Sequence, residues 1–488
     1  FDLWKASMMA NASRDPFYRA MVSAAVATTP DAAETIENKC LTCHAPMAHT
    51  AARQDDGEVF RLDDLYEDDD LAHLGLDGVS CTTCHQIDPA NLGTPESFSG
   101  GYVIEQGKKT IYGPHESPFA RPMEQRTGYT PVASDHMRDS ELCATCHTLE
   151  TPTLAEDGSA TGSHLDEQTP YLEWLNSDFN TESGEPRAAS CQDCHVPQTD
   201  VDGSPISTKI ARRPEGGDFP PLQDRQPVGR HVFIGGNTLV PGILRDHADK
   251  LQPQATADEF DALITAVERQ LQTETADISI ENVSRSGDSV EIPITVQNQT
   301  GHKLPTGYPA RRAWLHVTVR NGAGTTIFES GNYDDEGYLV SAAGEIHPTE
   351  ELDGGTEPHF DRVTDPNQVQ VYQAVMADES GENTYRLMRG TGYYKDNRLL
   401  PIGWSADHPT TERTAPVGTD GDDNFVGGSD RVTYVVDAPP GAGPYTVDVE
   451  FVYQTLSRRY ANELFAIDTR EVRVFESYFD QADKLPVR

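Results

Sequence analysis

All eight cysteines of the chain lie in one repeated pattern, in which two cysteines two residues apart are followed directly by a histidine. This spacing is the attachment signature of haem c, because the two thiols add to the two vinyl groups and the next imidazole reaches the iron. We therefore predict four covalently attached haem c groups, one for each copy of the pattern. The copies are Cys40-Leu-Thr-Cys43-His44, Cys81-Thr-Thr-Cys84-His85, Cys143-Ala-Thr-Cys146-His147 and Cys191-Gln-Asp-Cys194-His195.

Three other uses of paired cysteines explain the pattern less well. A zinc site does not need a histidine directly after every second cysteine. A thioredoxin-like motif normally occurs once, within a βαβ unit. A disulfide framework gives no reason for four identical motifs that use every cysteine.

The second axial ligand of each iron separates an electron carrier from a catalyst with an open site. Sixteen histidines are present, four of them in the motifs, so twelve remain for four sixth positions. We select histidines in tight loops or just ahead of a motif, namely His302, His231, His136 and His115. Weaker candidates are His49, His73, His164 and His247, together with the thioethers of Met8 and Met9. The histidines of the C-terminal half, His316, His347, His359 and His408, are expected not to bind iron.

The elements that must position these residues change in character along the chain. The four motifs fall within residues 40–195 and are surrounded by short helical patterns, at 2–21, 31–39 and 168–176, and by irregular loops. So little protein for each haem places neighbouring haems close together. A longer amphipathic helix is predicted over 256–272.

Alternating strand patterns follow that helix, separated by turns rich in Gly, Asn and Asp. The predicted strands are 290–296, 314–319, 325–330, 369–374, 431–436 and 446–453. We predict an α+β chain with a tetrahaem domain over 1–253, a connecting helix over 254–276 and a sandwich-like all-β domain over 277–488. If His302 binds iron, this β domain is fixed against the haems.

The formal charge of −41 argues against a nucleic-acid binder and equally against docking on an anionic membrane. No apolar run is long enough to span a bilayer. Haem c is attached outside the cytoplasm, so we expect an exported protein that is extracellular or on the cell surface, with the periplasm as the alternative, and a signal peptide absent from this numbering. The acidity fits a high-salt habitat or an ordinary acidic secreted protein.

A smaller hypothesis concerns clustered carboxylates in a glycine-rich loop, Asp420-Gly-Asp422-Asp423-Asn424, with Asp430. Such a loop can hold Ca²⁺, although its spacing is not that of an EF-hand and a solvated turn is the simpler interpretation.

Several stretches resemble multihaem c-type cytochromes of respiratory and metal-reducing microbes. They are Trp4-Lys-Ala-Ser-Met-Met-Ala, Asp77-Gly-Val-Ser-Cys81, Asp139-Ser-Glu-Leu-Cys143, Glu167-Gln-Thr-Pro-Tyr-Leu-Glu-Trp174, His231-Val-Phe-Ile-Gly-Gly-Asn237 and Thr300-Gly-His-Lys-Leu-Pro-Thr-Gly307. The resemblance covers most of residues 1–320 and implies bis-histidine haems that carry electrons to extracellular acceptors, with His136, His231 and His302 at ligand positions. Relatives often have a histidine near Met8 and Met9. Some similar tetrahaem members form extracellular filaments with a continuous haem chain.

Two classes of function follow. The first is electron transfer through four low-spin haems, either as a subunit of a conductive homopolymer or as a soluble periplasmic shuttle, with redox proteins or extracellular acceptors as partners. The second is a multihaem oxidoreductase, which needs one iron with an open site and nearby acid–base groups. The chain has no C-x-x-C-K variant and enough loop histidines to close every iron, which favours the first class.

Overall fold

The computed structural model describes residues 2–55, 57, 59–200, 202–210, 217 and 222–488. Its N-terminal half consists of short helices joined by loops, as the sequence predicts. These helices are α1 (Pro16–Thr28), α2 (Ala33–His44), α3 (Pro46–Asp55), α4 (Asp70–Leu76), α5 (Cys81–Gln86), α6 (Ala120–Thr127), α7 (Ser140–His147), α8 (Pro170–Leu175), α9 (Cys191–His195), α10 (Leu239–Asp246), α11 (Ala248–Leu251) and α12 (Ala257–Thr273).

The first helix begins later than the predicted 2–21. Its N-cap is Asp15, whose carboxylate accepts hydrogen bonds from the backbone N–H groups of Phe17 at 2.8 Å and Tyr18 at 3.3 Å. Pro16 occupies the first helical turn, where its missing N–H costs nothing. The cap and the proline together fix the start of α1, so Met8 and Met9 lie in the turns that precede it.

Four strands interrupt the helical half, where only helices and loops were predicted. They are β1 (Thr110–Gly113), β2 (Thr130–Ala133), β3 (Leu149–Leu154) and β4 (Ala160–Gln168). β1 pairs with β2 in parallel, and β3 pairs with β4 as an antiparallel hairpin directly after the third motif.

The C-terminal half contains two β-sheets, which confirms the predicted α+β class. The strands are β5 (Ala276–Ile280), β6 (Ser284–Ser286), β7 (Ser289–Asn298), β8 (Arg312–Arg320), β9 (Thr326–Ser330), β10 (Arg362–Val363), β11 (Val371–Ala377), β12 (Asn383–Thr384), β13 (Gly392–Asp396), β14 (Ser429–Asp437) and β15 (Thr446–Gln454). One sheet has the order β10-β14-β7-β5, with β6 on β7; the other has the order β12-β11-β8-β15, with β13 on β11 and β9 on β8. Alternating side chains of both sheets meet in one buried core that includes Ile292, Val317 and Tyr434.

Three further helices lie in this half: α13 (Thr411–Thr414), α14 (Arg458–Phe465) and α15 (Arg470–Phe479). The last two replace what was predicted as the end of the sandwich. They pack back against α1, with Phe475 next to Phe17 and with Ser23 hydrogen-bonded to Thr469 at 2.7 Å. The chain therefore closes on itself, and its C-terminal helices form part of the core around the N-terminal helix.

None of the helices in the described ranges is long and apolar enough to cross a membrane.

Candidate functional site

Each of the four motifs lies on a short helix, α2, α5, α7 or α9. On a helix, residues three and four apart share a face. The second cysteine and the histidine of each motif therefore project on the same side as the first cysteine. The local fold thus presents two thiols and one imidazole together, as covalent haem attachment requires.

Three of the four motif imidazoles are oriented by hydrogen bonds to backbone carbonyls. Nδ1 of His44 donates to Ala12 O at 3.2 Å, Nδ1 of His85 to Tyr112 O at 2.6 Å, and Nδ1 of His195 to Ile234 O at 2.8 Å. Because a carbonyl oxygen only accepts, the ring proton lies on Nδ1 and the lone pair on Nε2 is directed away for a metal.

Burial keeps these rings neutral. It lowers the pKa of His44 and of His147 to about 4, and it also lowers the pKa of His85 and His195. A neutral imidazole is the form that binds iron, so the surroundings favour ligation over protonation.

Two motif histidines each lie near a second histidine, at a ring separation that one metal ion would fill. The ring centroids of His85 and His231 are 6.2 Å apart, and those of His195 and His302 are 6.5 Å apart with ring planes only 14° from parallel. Two imidazole–metal bonds of about 2 Å each, with about 1 Å from each ring nitrogen to its centroid, add up to about 6 Å. These pairs therefore fit the two axial ligands of a haem iron.

The segment that carries His231 also holds the fourth motif. His195 Nδ1 donates to Ile234 O, and the Phe233 N–H donates to His195 O at 3.1 Å. One short stretch of chain thus places His231 next to the histidine of the second motif and orients the histidine of the fourth.

The other two selected histidines have different surroundings. His136 Nε2 donates to Ile87 O at 3.1 Å, and its Nδ1 contacts the Ser134 hydroxyl at 2.7 Å, so both ring nitrogens have partners in this arrangement. His115 is half-buried, and burial together with Arg138 and Arg225 lowers its pKa. Iron ligation by His136 and by His115 stays a prediction.

The weaker histidine candidates contact other residues or are exposed. His49 Nε2 lies 2.9 Å from the Asn38 carboxamide oxygen, next to its own motif, and His247 stacks on Tyr478 at 4.1 Å. His164 is exposed on β4, and His73 lies beside Asp68.

A tyrosine missed in the sequence lies against the first motif. The ring of Tyr18 stacks on that of His44, with centroids 3.7 Å apart and planes 2° from parallel. Burial raises the pKa of Tyr18 well above its usual value. No local signal distinguishes this tyrosine, because the contact joins α1 to the end of α2.

The four motifs lie close together in space. Cys43 is within hydrogen-bond distance of Cys146, and Cys143 is within hydrogen-bond distance of Cys191. Cys84 is near enough to Cys146 for their charges to interact. The third motif therefore borders the first and the fourth and lies near the second.

The predicted Ca²⁺ loop contains a buried cluster. Asp422 and Asp430 approach His359, with ligand atoms within 4.8 Å of one another. However, His359 Nδ1 accepts from the amides of Gln370 at 2.9 Å and Asn397 at 3.0 Å, so its proton lies on Nε2 and points to Asp422. The ring therefore has no lone pair left for a metal, and Ca²⁺ at the carboxylates stays a prediction.

Comparisons with known proteins agree with the motifs. The family model described as cytochrome c554 and c-prime matches residues 1–86. The fold is similar to a penta-haem cytochrome c552 from Thermochromatium tepidum, with 16% identity, coverage of 96% of this chain and 91% of that chain, and a TM-score of 0.52. No curated protein matches the chain. Together with the four motifs, these findings support a multihaem c-type cytochrome.

Proposed function

We propose that this chain is a tetrahaem c-type cytochrome that transfers electrons outside the cytoplasm. The observation that carries the proposal is the pairing of motif histidines with distant histidines at a separation that fits one iron, His85 with His231 and His195 with His302. An iron with two imidazole ligands has no open position, so it supplies reversible one-electron chemistry and binds no substrate.

The spacing of the motifs supports a continuous path for electrons. Their cysteines border one another, and the third motif is next to two others. Haems attached to adjoining thiols have neighbouring edges. In this path the protein fixes the positions of the haem edges, keeps the axial imidazoles neutral and excludes water.

We further propose an extracellular or cell-surface location and self-assembly into a conductive filament as the extended form of this function. The filament rests on the sequence resemblance, and the soluble periplasmic shuttle is its alternative. Negative-stain microscopy and sedimentation velocity separate the two: uniform monomers at every protein and salt concentration would exclude the filament and leave the shuttle.

Carbon monoxide tests the histidine pairs. CO binds a reduced haem iron that lacks a sixth ligand, so H231A and H302A should each add CO binding at one haem beyond that of the unchanged protein. The matched control is H164A, which removes an exposed histidine of β4.

The increment is measured by CO difference spectra of the dithionite-reduced proteins, at equal haem content by the pyridine haemochrome assay. If neither variant binds more CO than H164A, the proposed pairing is wrong. Prompt CO binding by the unchanged reduced protein would instead favour an oxidoreductase with an open haem site.

A further inference from the structure

Four charged side chains are completely enclosed beneath the loop that carries His302. They are two acids and two bases, so their charges balance, and their exposed fractions are 0% for Glu173, 1% for Lys303, 2% for Asp396 and 4% for Arg398. Taking four charges out of water is costly unless each is paired.

The contacts run in a closed ring. Lys303 Nζ donates to Asp396 at 2.7 Å, and Arg398 donates to both oxygens of Asp396 at 2.8 and 2.7 Å. Burial opposes ionisation of Asp396, but the charges of Arg398 and Lys303 hold its pKa well below the usual value. Arg398 Nη1 lies 3.4 Å from Glu173, and the Lys303 backbone N–H, which donates to Glu173, closes the ring.

The Glu173 carboxylate contacts the His302 loop at the backbone N–H of Lys303. Its Oε2 accepts a hydrogen bond from the Lys303 N–H at 2.9 Å, across 130 residues of sequence. The Lys303 carbonyl in turn lies 3.1 Å from His302 Nδ1, which donates to it. Glu173 therefore fixes the position of Lys303. The Lys303 carbonyl in turn keeps the proton of His302 on Nδ1 and leaves the lone pair on Nε2.

The neighbouring residue contacts the segment that leads into the fourth motif. Trp174 Nε1 donates to Ala189 O at 2.8 Å, directly ahead of Ser190 and the fourth motif. Its indole and Phe179 also pack against Gly301, where a Cβ would come within 3.3 Å of Trp174 and 3.1 Å of Phe179. One turn of α8 thus contacts both segments that present His195 and His302.

We infer that Glu173 is a positioning residue for the haem of the fourth motif. Glu173 holds His302 opposite His195 and places a fixed negative charge beside the iron of that haem. The inference rests on the proposed ligation by His302. Two consequences follow. Removing the carboxylate oxygen releases the His302 loop. Removing only the negative charge takes stabilisation away from the oxidised iron, which is more positive than the reduced iron.

Two variants of the haem-loaded protein separate these consequences. E173A removes the acceptor of the Lys303 N–H, so one haem in four should become high-spin in the oxidised EPR and optical spectra and should bind CO when reduced. E173Q keeps an oxygen acceptor and removes the charge, so all haems should stay as in the unchanged protein, while one midpoint potential rises in a spectroelectrochemical titration.

The matched control is E350Q, because Glu350 is equally buried and pairs with Arg312 in the β domain, apart from the His302 loop. It should move neither the spin state nor any potential. If E173A remains spectrally unchanged while H302A opens one haem, Glu173 does not position the ligand. If H302A opens no haem, the proposed ligation itself is wrong.

Discussion

At the scale of single residues, the site is built from imidazoles whose protons are fixed by backbone carbonyls. Ala12, Tyr112 and Ile234 each accept from Nδ1 of a motif histidine, which directs the Nε2 lone pair to the metal. The residues that supply these carbonyls lie far from the motifs in sequence. A motif therefore predicts an iron ligand, but its surroundings decide how the imidazole ring is oriented.

Gly100 joins the first and third motifs at a point where only glycine fits. Its φ is +83°, its N–H donates to Thr145 O at 2.7 Å, and a Cβ would lie 2.4 Å from Thr42 Cγ2 and 3.5 Å from Cys43 Sγ. We expect G100A to lower the free energy of unfolding by about 2–4 kcal/mol, from left-handed backbone strain and overpacking together.

The control for this prediction is G107A, because Gly107 has a similar φ of +76° and nothing within 4 Å of its Cβ position. Both variants carry the backbone strain, and only G100A meets Thr42. Equal urea midpoints for the two would show that the close approach to the first motif does not matter.

Asp430 is a buried acid whose ionisation costs stability. Burial raises its pKa from 3.8 to about 6, and its Oδ1 has no partner among the described residues. The folded state therefore holds the proton more tightly than the unfolded chain. The contribution of Asp430 to the free energy of unfolding falls as the pH rises from about 4 to about 6 and stays low above that. D430N should be more stable at pH 8 by up to about 3 kcal/mol.

Because both states are protonated below about pH 4, the advantage of D430N should disappear there. The measurement is the melting temperature at pH 8 and at pH 4, with D423N as the control, since Asp423 is an exposed neighbour. A gain at pH 8 that persists at pH 4 would assign the effect to something other than the charge.

At the scale of elements, short helices act as bridges between distant segments. α8 contacts the loop before the fourth motif and the loop of His302, and α1 packs against α15 near the other end of the chain. These contacts join the helical half to the β half. The stability of the haem region therefore depends on C-terminal residues that carry no motif.

Phe475 of α15 tests this dependence. Its side chain is fully buried against Phe17, Phe465 and Phe479. F475A should cost about 3–5 kcal/mol by leaving a cavity, and α14 and α15 should become the first segment cleaved in limited proteolysis. V474A is the control, because Val474 is 41% exposed on the same helix. Cleavage of both variants at the same rate would argue against a structural role for this packing.

At the scale of the whole molecule, the dominant feature is a formal charge of −41, to which haem propionates would add. Like charges on one compact body repel one another, and salt shortens the range of that repulsion, to about 3 Å at 1 M. The same repulsion opposes the approach of a second copy. The acidic surface therefore sets the conditions under which self-assembly is observable.

We expect the melting temperature to rise when NaCl is raised from about 0.05 M to about 1 M. Any association should strengthen over the same range in sedimentation velocity. KCl should give the same shift if screening is the cause. A melting temperature that is constant or falls with salt would show that charge repulsion does not limit stability.

The sequence by itself determined the features that are local. The prediction of covalent haem attachment rests on five consecutive residues. The helix α12 follows from apolar residues at helical spacing and the main strands from alternation, and these elements match the structure within a few residues at each end. The end of the chain was predicted as β and is helical: Val472, Phe475 and Phe479 recur at helical spacing and form the buried face of α15 that packs against α1.

Only the tertiary structure decided which distant residues meet. The spacing of the motifs carries no information on whether His231 faces His85 or whether His302 faces His195, because each pair is joined through loops whose paths depend on packing. The same holds for Glu173 and Lys303, which meet across 130 residues. The attachment signature for haem is local in the sequence, whereas the placement of the proposed second ligands depends on the tertiary structure.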